Sequence, residues 1–169
     1  MYCLTFMKMI LATWVFLLLI KSLDAADSRP PVPIITFENL QREIDKVDDT
    51  LRIFNFWATW CKPCVEEMPC FLEAGKTFEK QKVKLILVSL DFRKHIETRL
   101  LPFIEKNQIS LPVWLLDAPD ANAWIDRVSS QWSGSIPATL FVRKGERHFY
   151  ETQFDCNELN EIIHQYLKP

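Results

Sequence analysis

The chain has 169 residues, of which 49% are hydrophobic and 25% charged, and its formal net charge is −2. That apolar share excludes an intrinsically disordered polymer, and the mild acidity removes the electrostatic footprint of a nucleic-acid binder. With only three glycines, Gly75, Gly134 and Gly145, no glycine-rich loop is available to cradle phosphates.

In chain order, Lys8 is followed by an apolar run from Met9 to Ile20 and by small residues ending at Ala25 and Ala26. The pattern predicts a signal peptide or N-terminal anchor over residues 1–26. The run is shorter than the ~20 apolar residues of a membrane span, so membrane contact is expected only if the leader stays uncleaved. Cys3 precedes the run, whereas a lipid-anchor cysteine would have to follow it. Removing the leader takes the formal charge from −2 to −3 and leaves enough chain for one domain with a hydrophobic core. The mature protein is expected outside the cytoplasm, in the periplasm or cell envelope, where disulfides persist.

Residues 27–34 contain Pro30, Pro31 and Pro33 and read as an extended linker, with the folded domain expected over residues 35–169. Leu40, Ile44 and Val47 have helical spacing. Leu51–Trp57 is short, apolar and aromatic, as in a buried strand. After Cys61, the spacing of Val65, Met68, Phe71 and Leu72 predicts a helix. Val83–Asp91 reads as a central parallel strand covered on both faces. A helix near His95–Lys106, a strand over Pro112–Asp117 and a short helix near Ala121–Ser129 follow. Pro137–Thr152 reads as a hairpin turning at Lys144-Gly145. Asp155 and Glu158 have capping-box spacing at the start of the last helix. Strands alternating with helices and closed by a hairpin predict an α/β fold, a mixed central sheet with helices on both faces.

Three cysteines fall between Phe54 and Glu73. Cys61 and Cys64 directly follow a predicted strand and open a helix, the position of a redox dithiol. Free amides at the helix start, together with the helix dipole, favour a thiolate at Cys61. Lys62 adds positive charge, and Pro63 fits the first turn, where its missing N–H costs nothing. Cys61 is therefore expected to be the exposed nucleophile and Cys64, one turn further in, the resolving thiol. An inert staple is the alternative, but so short a loop restrains little of the unfolded chain. Zinc would require four ligands in tighter clusters, and no metal is expected. Cys70 follows Cys64 by six residues and points about 120° away from it on a helix. Cys70 and Cys156 either pair with each other or remain two buried free thiols.

The stretches FWATWCKPCVEEMP (Phe56–Pro69) and SGSIPATLFV (Ser133–Val142) together resemble the thioredoxin-fold TlpA/ResA-like extracytoplasmic thiol-disulfide oxidoreductases. The similarity in element order covers essentially the whole predicted domain. It implies a thioredoxin-like fold with extra N-terminal elements and a cis Ile136-Pro137 bond facing the cysteine pair. The Ile136 backbone would then be free to pair with an extended substrate segment. The resemblance also implies that Glu67 lies close to the cysteines. Three residues after Cys64, Glu67 shares its helix face, and partial burial would raise its pKa toward the range of a base for the Cys64 proton. The alternative is a solvated helix glutamate, as assumed for Glu66. Trp60 is expected to shield the disulfide and offer a docking surface, whereas Trp57 is expected in the core. The candidate set is thus Cys61, Cys64 and Glu67 for catalysis and Trp60, Pro63, Ile136 and Pro137 for substrate binding. Pro69 is expected to kink its helix. Asp91, at a strand end, reads either as functional or as a loop cap and stays outside the catalytic set.

The activity so implied is exchange with protein thiols and disulfides, in the reducing direction, by a monomer without a dissociable cofactor. Lys62 acts in the opposite sense by stabilising the thiolate. A membrane redox partner is implied, and the downstream partner would be an apocytochrome (as in cytochrome c maturation), a cell-envelope enzyme or another oxidoreductase. Two rivals share the fold. A peroxidase would carry Pro-x-x-x-Thr-x-x-Cys, but positions 55 and 58 are Asn and Ala. A copper chaperone would resemble Cys-x-x-x-Cys with a distal His, but the spacing here is two residues.

Overall fold

The computed structural model describes residues 32–168. The predicted leader, 1–26, and most of the predicted linker, 27–31, lie outside the described residues. Among the described residues, no helix is long and apolar enough to cross a membrane.

Among the described residues, six strands form one mixed sheet: β1 (Ile34–Ile35), β2 (Leu51–Trp57), β3 (Val83–Ser89), β4 (Val113–Leu116), β5 (Ala138–Arg143) and β6 (Glu146–Tyr150), in the order β1-β4-β3-β2-β5-β6. β2 lies between β3, its parallel partner, and β5, its antiparallel partner, and all seven of its residues are buried. The helices are α1 (Phe37–Ile44), α2 (Lys62–Thr77), α3 (Leu101–Lys106), α4 (Ile125–Val128) and α5 (Cys156–Leu167).

Period-two alternation along β2 builds the two halves of the core. Ile53 and Trp57 pack with Met68 and Phe71 of α2, Phe141 of β5, and Leu159 and Ile163 of α5. Phe54 and Phe56 pack on the other side, with Phe37 and Leu40 of α1 and with Trp124 and Trp132. By the same alternation Asn55 belongs to the Ile53/Trp57 face, beneath α2, and it is fully buried there. The buried guanidinium of Arg52 is satisfied by Glu43 at 3.2 Å and Asp48 at 2.6 Å.

Some local features depart from the sequence reading and others agree with it. Ile34, read as the end of a linker, lies in β1: the amide of Leu115 donates to the Pro33 carbonyl at 2.9 Å, and that of Asp117 to the Ile35 carbonyl at 2.8 Å. A proline has no amide to donate but can still accept, so Pro33 is compatible with the entry to an edge strand. The helix expected over 95–106 is irregular: a 3₁₀ turn at Arg93–His95, a π turn at Ile96–Leu100, then α3. Pro102 removes the amide that would bond the Thr98 carbonyl in a continuous α-helix. α2 by contrast runs uninterrupted through Pro69, which leaves the Val65 carbonyl without its helical donor. At the hairpin, Lys144 (φ 53°) and Gly145 (φ 85°) both take the positive φ of a type I′ turn. The capping box of α5 is formed as predicted, with Asp155 accepting the amides of Asn157 and Glu158 at 2.8 and 2.9 Å.

Among the described residues two disulfides are present, Cys61–Cys64 and Cys70–Cys156. Of the two alternatives left open for Cys70, the paired one holds: Cys70 points away from Cys64 toward α5, which packs on α2.

Candidate active site

The chain leaves β2 at Trp57 and enters α2 at Lys62, with Cys61 as the N-cap residue in extended conformation. Cys61 Sγ accepts the Cys64 amide at 3.3 Å. A sulfur in this position takes up one of the orphan donors of the helix start, a bond that strengthens when the sulfur is a thiolate. Pro63 sits in the first turn, as expected. The expectation of an exposed Cys61 is corrected: it is 5% exposed, against 0% for Cys64. Covalent pairing with Cys64 and the approach of the Ile136 carbonyl cover most of it. Lys62 is turned toward Glu66, Nζ to Oε1 3.6 Å, so part of its field is balanced within its own helix. Glu66 is half exposed, as assumed for a solvated helix residue.

Ile136-Pro137 is cis, and the Ile136 carbonyl oxygen lies 3.6 Å from Cys61 Sγ. The loop before it is tied down by residues that the sequence did not single out. Trp132 Nε1 donates to the Ser135 carbonyl at 2.8 Å. The Glu151 carboxylate accepts the amides of Ser133 and Ser135 at 2.9 and 2.8 Å and also the Ser133 hydroxyl. Slight burial opposes ionisation of Glu151, but these bonds hold its carboxyl below the usual range. On the other side, Asp91 accepts the Thr59 hydroxyl at 2.6 Å and the Thr59 amide at 3.0 Å. These bonds tie the end of β3 to the loop that carries the cysteines. Trp60 and Phe92, beside these tied residues, are 56% and 64% exposed. Trp57 is fully buried against Phe103, as expected of a core residue.

Glu67 is 1% exposed, so the solvated alternative does not apply. Asn55 Nδ2 donates to its Oε1 at 2.9 Å, and the Phe154 amide to its Oε2 at 2.9 Å. Asn55 Nδ2 also bonds Thr139 Oγ1 at 3.2 Å, which fixes the amide across the β2–β5 pair. Desolvation outweighs both bonds to the carboxylate and raises the Glu67 pKa to about 7. With the folded pKa above the unfolded one, the folded state binds the extra proton between 4.5 and about 7. The stability contributed by neutral Glu67 is complete below 4.5 and is lost as pH rises through that window. Glu67→Gln is therefore expected to be more stable than wild type at pH 8, by on the order of 3 kcal/mol, with the gap closing below 4.5. Urea unfolding at the two pH values measures it.

The AhpC/TSA family profile matches residues 32–146. Thiol-disulfide oxidoreductase ResA of Oceanobacillus iheyensis is 30% identical over 91 residues, covering 54% of this chain and 43% of the relative. Sporulation thiol-disulfide oxidoreductase A of Bacillus subtilis is 28% identical over 98 residues, covering 54% of this chain and 58% of the relative. The chain spans about half the length of the curated relatives it matches. The solved thioredoxin-related protein of Neisseria meningitidis serogroup B superposes with a TM-score of 0.60 at 24% identity, over 72% of this chain and 87% of that one. That likeness shows the thioredoxin-like fold.

Proposed function

The chain belongs to the AhpC/TSA family, and on that premise we propose that it is a thiol-disulfide oxidoreductase acting on proteins through Cys61 and Cys64. The observation that carries the reading is the Cys61–Cys64 disulfide at the start of α2, with Cys61 Sγ 3.6 Å from the Ile136 carbonyl beside cis Pro137. The names of the similar proteins from Oceanobacillus iheyensis and Bacillus subtilis support it.

In the reducing direction, the Cys61 thiolate attacks one sulfur of a partner disulfide. The new bond joins Cys61 to that sulfur, and the other partner sulfur leaves as a thiolate. Cys64 gives its proton to the Glu67 carboxylate and attacks Cys61 Sγ. The mixed disulfide breaks, Cys61–Cys64 forms, and the partner leaves with both sulfurs reduced. Two electrons have passed to the partner, and a second redox protein, membrane-bound in this proposal, returns them to the dithiol. The Ile136 backbone and the exposed Trp60 ring hold the incoming segment, with Pro63 and Pro137 shaping the approach to Cys61. The protein works outside the cytoplasm in this reading. The apolar run Met9–Ile20 supports that placement, as does the second disulfide, since such bonds persist in oxidising compartments.

A peroxidase reading would want proline at position 55, where Asn55 instead pairs with β3 and β5 and holds Glu67. The test is a side-by-side turnover assay of the reduced protein with a disulfide-bonded protein and with hydrogen peroxide. The protein disulfide is expected to be consumed catalytically and peroxide only at the rate of an ordinary thiol. Catalytic peroxide consumption would overturn the proposal.

A further inference from the structure

We propose that the Cys70–Cys156 disulfide is a positioning element of the exchange site, holding the Phe154 amide on the Glu67 carboxylate. The inference rests on the reading of Glu67 as the proton acceptor of Cys64. Its basis is a pair of cross-links between the same two segments. Glu67 and Cys70 are three residues apart on α2, hence on one face of the helix. Phe154 and Cys156 are two residues apart where the chain enters α5. The Phe154 amide reaches Glu67 Oε2 at 2.9 Å, and the Cys70–Cys156 bond crosses the same gap one turn further along, with a Cα–Cα separation of 4.7 Å. Among the described residues, Asn55 and Phe154 are the donors to Glu67. Asn55 comes from the sheet and is independent of α5, so the second donor depends on where the 154–156 segment sits.

A plain staple is the competing account, because the Phe154 ring is itself buried and packs against Phe141 and Tyr150. If that anchoring suffices, removing the disulfide leaves the amide in place. If the disulfide sets the position, the carboxylate loses a donor while remaining among buried groups, and its ionisation becomes harder. The groups around Glu67 keep the prediction clean. Asn55 and Thr139 do not titrate, and Cys64 does not titrate while paired with Cys61. Asp155 and Glu158 are engaged in the capping box of α5.

The test is the pH titration of the Glu67 carboxyl carbon by NMR in the protein with Cys61–Cys64 oxidised, comparing wild type with Cys70→Ser/Cys156→Ser. Loss of one bond to a charged acceptor is expected to raise the midpoint by about one pH unit. An unchanged or lowered midpoint overturns the proposal. Should the serine pair lack a native near-ultraviolet circular dichroism spectrum, Cys70→Val/Cys156→Ala refills the space with apolar groups and gives the same readout. Because no exchange partner is present, the titration stands whether or not Glu67 serves as a base. Failure of that role appears separately, as an unchanged release rate in Glu67→Gln.

Discussion

Cys61→Ser is expected to lower the rate of exchange with a protein disulfide by on the order of 10³-fold or more, measured as partner thiols released per unit time. A serine hydroxyl is far from ionised at neutral pH, and it forms no covalent intermediate with sulfur. The site also gives Cys61 what Cys64 lacks. Its sulfur caps α2 and accepts the Cys64 amide at 3.3 Å, a position in which the helix start would stabilise the attacking thiolate of the proposed mechanism. Cys64 is wholly buried and has no path to a large partner. It cannot substitute for Cys61, and the loss should be as severe in Cys61→Ser as in the double variant that also carries Cys64→Ser.

Glu67→Gln is expected to slow the second step, release of partner from a preformed mixed disulfide on Cys61, by about 10²-fold above pH 7. The sign follows from the ionisation of Glu67. Burial raises its pKa to about 7, so the wild-type carboxyl is a base above that value and a neutral acid below it. Wild-type release should accelerate as pH rises through 7, while the variant lacks that rise. The ratio of the two rates should then shrink toward unity below pH 6, and stopped-flow release across the range measures it. The glutamine is close to isosteric and can still accept the Phe154 amide, and the variant is expected to be the more stable protein at pH 8. A slower rate there reflects lost proton transfer, not unfolding. In the proposed mechanism, the stability that wild type gives up above neutral pH is tied to the group that takes the Cys64 proton.

What the sequence disclosed divides along local and distant contacts. The strand Leu51–Trp57, the turn at Lys144-Gly145 and the cap at Asp155 are written in neighbouring residues, and all three are found. Spacing likewise puts Glu67 on the helix face of Cys64, whereas its closeness to the cysteine pair is what the family resemblance implies. The partners of Glu67 were not legible, since Asn55 lies 12 residues before it and the Phe154 amide 87 residues after it. No periodicity links such positions, and a backbone amide carries no side-chain signal at all. Alternation along β2 did carry a hint for Asn55, a polar residue on the inner face between Ile53 and Trp57. The Cys70–Cys156 bond spans 86 residues and could be stated only as one of two alternatives. Glu151 carries no local signal, because its contacts arise from a loop fold that brings Ser133 and Ser135 to it. β1 was concealed by the prolines around it, whose extended preference suits a linker and an edge strand equally.

In the proposed reaction Cys61 exchanges with protein disulfides and Cys64 resolves the product. Its most direct measurement is made on the Cys64→Ser protein, reduced and mixed with a disulfide-bonded protein, then acid-quenched and analysed by non-reducing mass spectrometry. A stable one-to-one mixed disulfide on Cys61 is expected, absent from Cys61→Ser and dispersed by added dithiol. Failure of Cys64→Ser to accumulate any adduct at Cys61, under conditions where wild type turns over, would contradict it.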